Sequence, residues 1–109
     1  KFLKLVAQHF RTTREVSFYA EQLCVTTTYL YKLTNRRWNL SPKELIDQQT
    51  ICEIKTLLSS TDMSVKEIAA TLHFEDTPYM CRYFRRRTGL SPMEYRNGNP
   101  NSSTNSIPL

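Results

Sequence analysis

Glycine is nearly absent: Gly89 and Gly98 are the only two in 109 residues. Tight β-hairpins lean on glycine for positive φ, so a hairpin-rich fold is a poor fit to this chain. Cysteine is sparse as well. Cys24, Cys52 and Cys81 are odd in number and widely spaced, and none forms a Cys-x-x-Cys pair. His9 and His73 add no ligand cluster, so neither a metal nor another cofactor is expected, and the thiols read as reduced and structural. No apolar run approaches the length of a membrane span. No basic segment followed by an apolar one opens the chain as in a signal peptide, so a cytoplasmic location is expected. Lys1 rather than methionine stands first. This predicts a piece of a longer protein.

What is present is basic and mostly helical in pattern. The net charge is +5, with 39% hydrophobic and 23% charged residues. That is an ordinary globular balance tilted towards a polyanionic partner. Apolar residues recur at helical spacing. Residues 2–11 place Phe2, Val6 and Phe10 on one stripe, backed by Leu3 and Leu5. Residues 16–23 place Val16, Tyr19, Ala20 and Leu23 at i, i+3, i+4 and i+7. Ser41-Pro42-Lys43-Glu44 is a capping box with proline at the first helical position, and it predicts a long helix over 42–58. The stripe of that helix runs through Ile51, Ile54 and Leu58, with Leu45 and Cys52 alongside. Ser64 and Glu67 form a second capping box ahead of Val65, Ile68, Ala69 and Leu72. Asp76 is placed to cap a further helix that tolerates Pro78 in its first turn. Residues 97–109 are rich in Asn, Ser and Pro and read as a disordered tail.

The chain also repeats itself. Val16, Tyr19, Ala20 and Leu23 correspond to Val65, Ile68, Ala69 and Leu72 at an offset of 49 (65 − 16). Past the following turn the offset becomes 50 (79 − 29): Tyr29 pairs with Tyr79, Leu30 with Met80, Lys32 with Arg82, and Ser41-Pro42 with Ser91-Pro92. Each copy is a short helix, a tight turn and a longer helix, which is helix–turn–helix geometry. The register decides an ambiguous stretch. Val25-Thr26-Thr27-Thr28-Tyr29-Leu30-Tyr31 has strand propensity, but its counterpart over 74–87 is patterned as a helix, so a helix over about 27–37 is expected. The second copy ends at Gly89 and the first at Asn39, the two residues best suited to a left-handed helix end.

Each longer helix has two faces. In the second copy Met80, Tyr83 and Phe84 form the inner one; Pro78, Cys81, Arg82 and Arg85 lie opposite, with Thr77 beside them. In the first, Leu30, Leu33 and Thr34 face inward; Thr28, Tyr31, Lys32 and Asn35 face outward, with Thr27 beside them. A DNA major groove accepts such a face: arginine bridges guanine O6 and N7, and threonine or cysteine touches a thymine methyl. Arg36 and Arg86 suit phosphates, as do Tyr29 and Tyr79, which also suit packing at the helix starts. Basic residues on one helix are equally what a solvated surface carries, and near a C-terminus Arg86 and Arg87 complement the helix dipole. Two copies in register favour the reading face. Cys24 and His73 are expected to be plain turn residues. A connecting helix of roughly 25 Å at 1.5 Å per residue is a sensible strut between two reading heads.

At this point the sequence resembles the AraC/XylS family of bacterial transcription regulators. SVKEIAATLHFEDTPYMCRYFRRRTGLSPMEYR (64–96) is similar to the family signature. REVSFYAEQLCVTTTYLYKLTNRRWNLSPKELI (14–46) is similar to its first helix–turn–helix, and EIKTLL (53–58) to its linker-helix motif. The resemblance implies an all-α fold of about seven helices. Its parts would be an N-terminal helix plus first helix–turn–helix over 1–41, a linker helix over 42–58 and a second helix–turn–helix over 59–96. It implies sequence-specific binding of double-stranded promoter DNA, no catalytic activity, RNA polymerase as a partner, and an effector or dimerisation domain ahead of this one. By the family pattern Thr27, Thr28, Tyr31 and Lys32 would contact bases in the first copy, and Thr77, Pro78, Cys81 and Arg82 in the second. Two departures stand out. Trp38-Asn39 replaces the usual Thr-Gly, and Thr50 stands where relatives often have a phosphate-binding arginine. With Pro78 and Cys81 weak donors, Arg82 and Arg85 would carry most of the second copy's reading.

Three other functions compete. A DNA-repair alkyl-transfer protein would need a zinc-bound or activated cysteine, which these residues do not offer. A helical adaptor for an acidic protein would bind DNA without regard to sequence. Membrane-surface binding would need an apolar side that Met80 and Phe84 no longer supply once buried.

Overall fold

The computed structural model describes residues 1–98; the tail from 99 onward lies outside the described residues. Among the described residues there are seven helices and no strand: α1 (Phe2–His9), α2 (Val16–Gln22), α3 (Thr27–Trp38), α4 (Pro42–Ser60), α5 (Val65–Thr71), α6 (Thr77–Thr88) and α7 (Pro92–Arg96). The chain divides into two compact units, Lys1–Thr50 and a second from Ile51 onward, with the division falling inside α4.

Local chemistry sets the helix starts. Thr26 Oγ1 accepts from Tyr29 N at 3.0 Å, and Asp76 Oδ1 accepts from Tyr79 N at 2.7 Å. Ser41, Ser64 and Ser91 each form a two-way box with the glutamate three residues on. Such caps satisfy backbone N–H groups that no intrahelical carbonyl reaches, for roughly 1 kcal/mol each. The ends of α3 and α6 match in conformation: Asn39 sits at φ 59° and Gly89 at φ 85°, both left-handed. The stretch with strand propensity is helical from Thr27. Its cap at Thr26 and the buried pair Leu30 and Thr34 outweigh the bias of its β-branched residues.

In the first unit Phe2, Val6 and Phe10 of the α1 segment are buried with Tyr19 and Ala20 of α2 and Leu30 of α3. The Phe2 ring meets the Tyr19 ring edge-on at 5.8 Å. Tyr19 is fully buried, and its hydroxyl donates to the Thr13 carbonyl at 2.8 Å. In the second unit Ile54, Ile68, Leu72, Met80 and Phe84 are fully or nearly fully buried, and Phe84 meets Tyr95 of α7 at 5.8 Å. Burying each such side chain contributes about 1.5–3 kcal/mol.

Several core expectations need correction. Helix α1 ends at His9, short of residue 11. Leu3 is 45% exposed and Leu33 37% exposed, so neither belongs to the core. Leu33 holds the position that Tyr83 fills in the second copy, and it is too short to do the same. Cys52 on α4 is exposed, while Ile46, absent from the expected stripe, is fully buried. The buried positions of α4 (Pro42, Leu45, Ile46, Asp47, Thr50, Ile51, Ile54, Leu58) are spread too widely round the helix for one stripe. Thr50 is fully buried with its hydroxyl donating to the Ile46 carbonyl at 2.9 Å, so it is a core residue and not a phosphate contact.

Candidate nucleic-acid interface

Two turns position the longer helices, and they are built alike. In each, a residue without glycine's freedom adopts left-handed φ: Cys24 at 59° and His73 at 58°. The next residue closes the turn on the shorter helix, Val25 N to the Ala20 carbonyl at 3.0 Å and Phe74 N to the Ala69 carbonyl at 2.9 Å. These pairs keep the offset of 49 (73 − 24), whereas the caps Thr26 and Asp76 keep 50 (76 − 26). The residue added to the second turn is therefore Glu75. Cys24 and His73 are both exposed, as plain turn residues. Their left-handed backbone was not legible, because neither turn carries the glycine or asparagine that marks such a position most strongly.

In the first unit the outward face of α3 is open. Thr27, Thr28, Tyr31, Lys32 and Asn35 are all exposed, as are Tyr29 and Arg36. Tyr31 is 52% exposed and Tyr29 51%. The face thus presents two threonine hydroxyls, a phenol, an ammonium and a carboxamide in three turns.

In the second unit α6 exposes Pro78, Arg82, Arg85 and Arg86, while Thr77 and Cys81 are half-buried. Burial pushes the Cys81 thiol above its ordinary pKa, so it stays a neutral, weakly polar group. Tyr79 is exposed at the helix start with its ring 6.0 Å from Phe74. Not every arginine is available. Arg87 lies over the Tyr83 ring at 3.9 Å and donates to the Tyr83 carbonyl at 3.3 Å, tying it to its own helix. Arg85 Nη1 sits 3.7 Å from Glu94 Oε1. Glu94 accepts from the Ser91 backbone, which with Arg85 holds its carboxyl below the usual range.

One positioning residue had no role assigned from the sequence. Arg96 donates from Nε to the Leu58 carbonyl at 2.9 Å and from Nη2 to those of Leu57 (3.3 Å) and Thr61 (3.2 Å). It thereby clamps α7, and the Tyr95 ring that meets Phe84 of α6, to the end of α4. Across 38 residues no spacing rule points to it. Among the described residues no three His, Cys, Asp or Glu side chains are grouped to hold a metal ion, and no helix is long and apolar enough to cross a membrane.

A family profile described as a helix-turn-helix domain matches residues 19–98. The Arabinose operon regulatory protein of Salmonella typhimurium is 30% identical over 94 residues, 86% of this chain and 32% of that protein. The chain belongs to the AraC/XylS family. Its relatives include the uncharacterized HTH-type transcriptional regulator YijO of Escherichia coli K12, 35% identical over 77 residues, 71% of this chain and 27% of that protein. Among solved structures, the DNA-binding domain of AdpA in complex with a target DNA superposes with a TM-score of 0.77 at 21% identity, over 95% of this chain and 97% of that one. This AraC/XylS chain spans about a third or less of the length of these two relatives. The family places it among the DNA-binding domains of transcription regulators rather than among enzymes.

Proposed function

We propose that this AraC/XylS domain binds specific promoter sequences in double-stranded DNA by inserting α3 and α6 into successive major grooves of one duplex, about 34 Å apart. The observation that carries the reading is the repeated open face. In each copy the side opposite the buried residues is solvent-accessible and carries hydrogen-bonding and cationic groups at matching positions. Thr27, Thr28, Tyr31 and Lys32 read bases from α3; Thr77, Pro78, Cys81, Arg82 and Arg85 read them from α6. Tyr29, Arg36, Tyr79 and Arg86 hold phosphates. Pro78 and the neutral Cys81 suit apolar contact with thymine methyls, which leaves Arg82 as the main guanine reader. Residues 1–41, 42–58 and 59–96 serve as first reading head, linker and second reading head, and the reading implies RNA polymerase as a partner at the promoter.

The test is selection of binding sites from random duplexes, followed by titration of the winners against salt. Two conserved blocks about one helical turn apart are expected, with a steep fall in affinity as salt rises. Arg82→Ala should cost about ten- to a hundredfold on the selected site and relax one base position. Lys32→Ala should relax a position in the other block. Equal affinity of these variants and the parent for selected and random duplex would show that the faces are misassigned.

A further inference from the structure

The first unit holds a pocket of about 470 Å³ beside α3, within the size range of small-molecule sites. Phe2, Leu23, Val25, Leu30, Leu33 and Trp38 make its apolar wall. Lys1, Arg36 and Arg37 supply its charge, and no acidic residue lines it among the described residues. The Arg37 guanidinium sits 5.5 Å from the centre of the Trp38 ring, so one cation is held directly against the apolar wall. The duplication provides an internal comparison. The counterparts of Val25, Leu33 and Arg37 in the second unit are Phe74, Tyr83 and Arg87 (25 + 49, 33 + 50, 37 + 50). There the Phe74 and Tyr83 rings lie 5.2 Å apart, with Arg87 over the Tyr83 ring at 3.9 Å. The second unit fills with two aromatic rings the place where the first carries a valine and a leucine.

We propose that this pocket binds an amphipathic carboxylate, its hydrocarbon body against the Leu30–Leu33–Trp38 wall and its carboxylate on Arg36 and Arg37. An apolar wall lined also by two arginines, with no acidic residue among the lining, matches such a molecule better than a neutral apolar one or a small hydrophilic anion. Occupancy engages Arg36 and so weakens DNA binding. This second half rests on the phosphate role proposed for Arg36; the binding itself does not.

Trp38 is the only tryptophan of the chain, so its fluorescence reports on the pocket directly. The 109-residue chain is titrated with decanoate below its micelle-forming concentration, and with decanol as the neutral control. A saturable change in Trp38 emission is expected with decanoate, and binding of decanol at least tenfold weaker. Val25→Phe with Leu33→Tyr, copying the second unit, should abolish the response while helix content by circular dichroism is kept. Should that double variant misfold, Arg37→Gln on the exposed surface serves instead: it should weaken decanoate about tenfold and leave decanol unchanged. An equal response to both probes, no saturable response, or a parent-like midpoint in the folded variants overturns the site. Decanoate should also raise the Kd for the selected duplex in the parent but not in the filled variant. A Trp38 response with unchanged duplex affinity overturns the competition for Arg36. A chain that takes decanoate but no duplex overturns the DNA reading and leaves the pocket standing.

Discussion

Replacing Arg96 by alanine tests how the second unit is held together. Its guanidinium donates three hydrogen bonds to carbonyls of Leu57, Leu58 and Thr61, at 2.9–3.3 Å, around the C-terminus of α4. The last carbonyls of a helix lack intrahelical partners. They also form the negative end of its dipole, where a cation contributes about 0.3–1 kcal/mol. Hydrogen bonds to a charged group contribute about 1.5–3 kcal/mol when well buried. Arg96 is only half-buried, and Thr61 Oγ1 already donates to the Leu57 carbonyl at 2.6 Å. Water and that hydroxyl therefore recover part of the loss. Arg96→Ala is expected to cost about 2–3 kcal/mol in all. Arg96→Lys should recover the charge but only one or two of the three bonds, and so cost about 1 kcal/mol.

For a domain of this size 1 kcal/mol shifts Tm by about 4–8 °C, so the alanine variant should melt roughly 8–24 °C below the parent and the lysine variant between them. Thermal unfolding followed by circular dichroism at 222 nm, with urea titration alongside, reads both. An alanine variant within about 3 °C of the parent, or a lysine variant equal to arginine, would show that the clamp is a surface ornament and that α7 is held by Tyr95 and Phe84 alone.

Three further outcomes are expected. Burial pushes the Tyr19 hydroxyl to a pKa of about 12 from an ordinary 10.0. Between those values the unfolded chain loses a proton that the folded one keeps, so stability is full below pH 10 and falls as pH rises towards 12. Tyr19→Phe should remove that component of the slope in urea titrations between those pH values, while costing about 1 kcal/mol at neutral pH through the lost bond to the Thr13 carbonyl. Glu94→Gln keeps the capping box but frees Arg85; because the Arg85–Glu94 pair is exposed, duplex affinity in anisotropy titrations should rise by no more than about fivefold, and no rise at all would detach Arg85 from the interface. Cys24→Gly relieves a left-handed backbone at φ 59° and should stabilise the first unit by about 0.5–1 kcal/mol, seen as a higher urea midpoint.

The elements legible from sequence were those whose causes are local. The Ser64–Glu67 box needs only residues three apart, and it formed. So did the cap at Asp76. The helix over 27–37 ran against its own propensity and was recovered only because a second copy in register showed the pattern more plainly. What escaped depends on what lies across a core or along a long stretch of chain. Leu33 reads as an inner residue by spacing, yet only the longer Tyr83 reaches inward to a neighbouring ring. Ile46 and Thr50 became visible as core residues once α4 was seen to bury more than one stripe. The same holds at the interface: spacing placed Thr27, Thr28, Tyr31 and Lys32 on an open face, but could not show that Cys81 and Thr77 sink halfway or that Glu94 reaches Arg85.

The two copies have diverged in a direction that physical chemistry makes intelligible. The second fills its interior with Phe74, Tyr83 and Phe84 and turns a row of arginines outward, with Arg87 recruited back onto an aromatic ring. The first has Val25 and Leu33 where the second has Phe74 and Tyr83, and its α3 carries hydroxyls, a phenol, Lys32, Arg36 and Arg37 outside. Under the proposed reading both helices supply salt-dependent affinity, through Arg36 on α3 and Arg86 on α6, because cations release counterions from phosphate. The hydroxyl-rich α3 supplies contacts that depend on base identity and weaken little with salt. The first copy, where the two rings of Phe74 and Tyr83 are missing, is also the one with a pocket lined by Val25 and Leu33. An anion that engages Arg36 there removes the phosphate contact proposed for the first head.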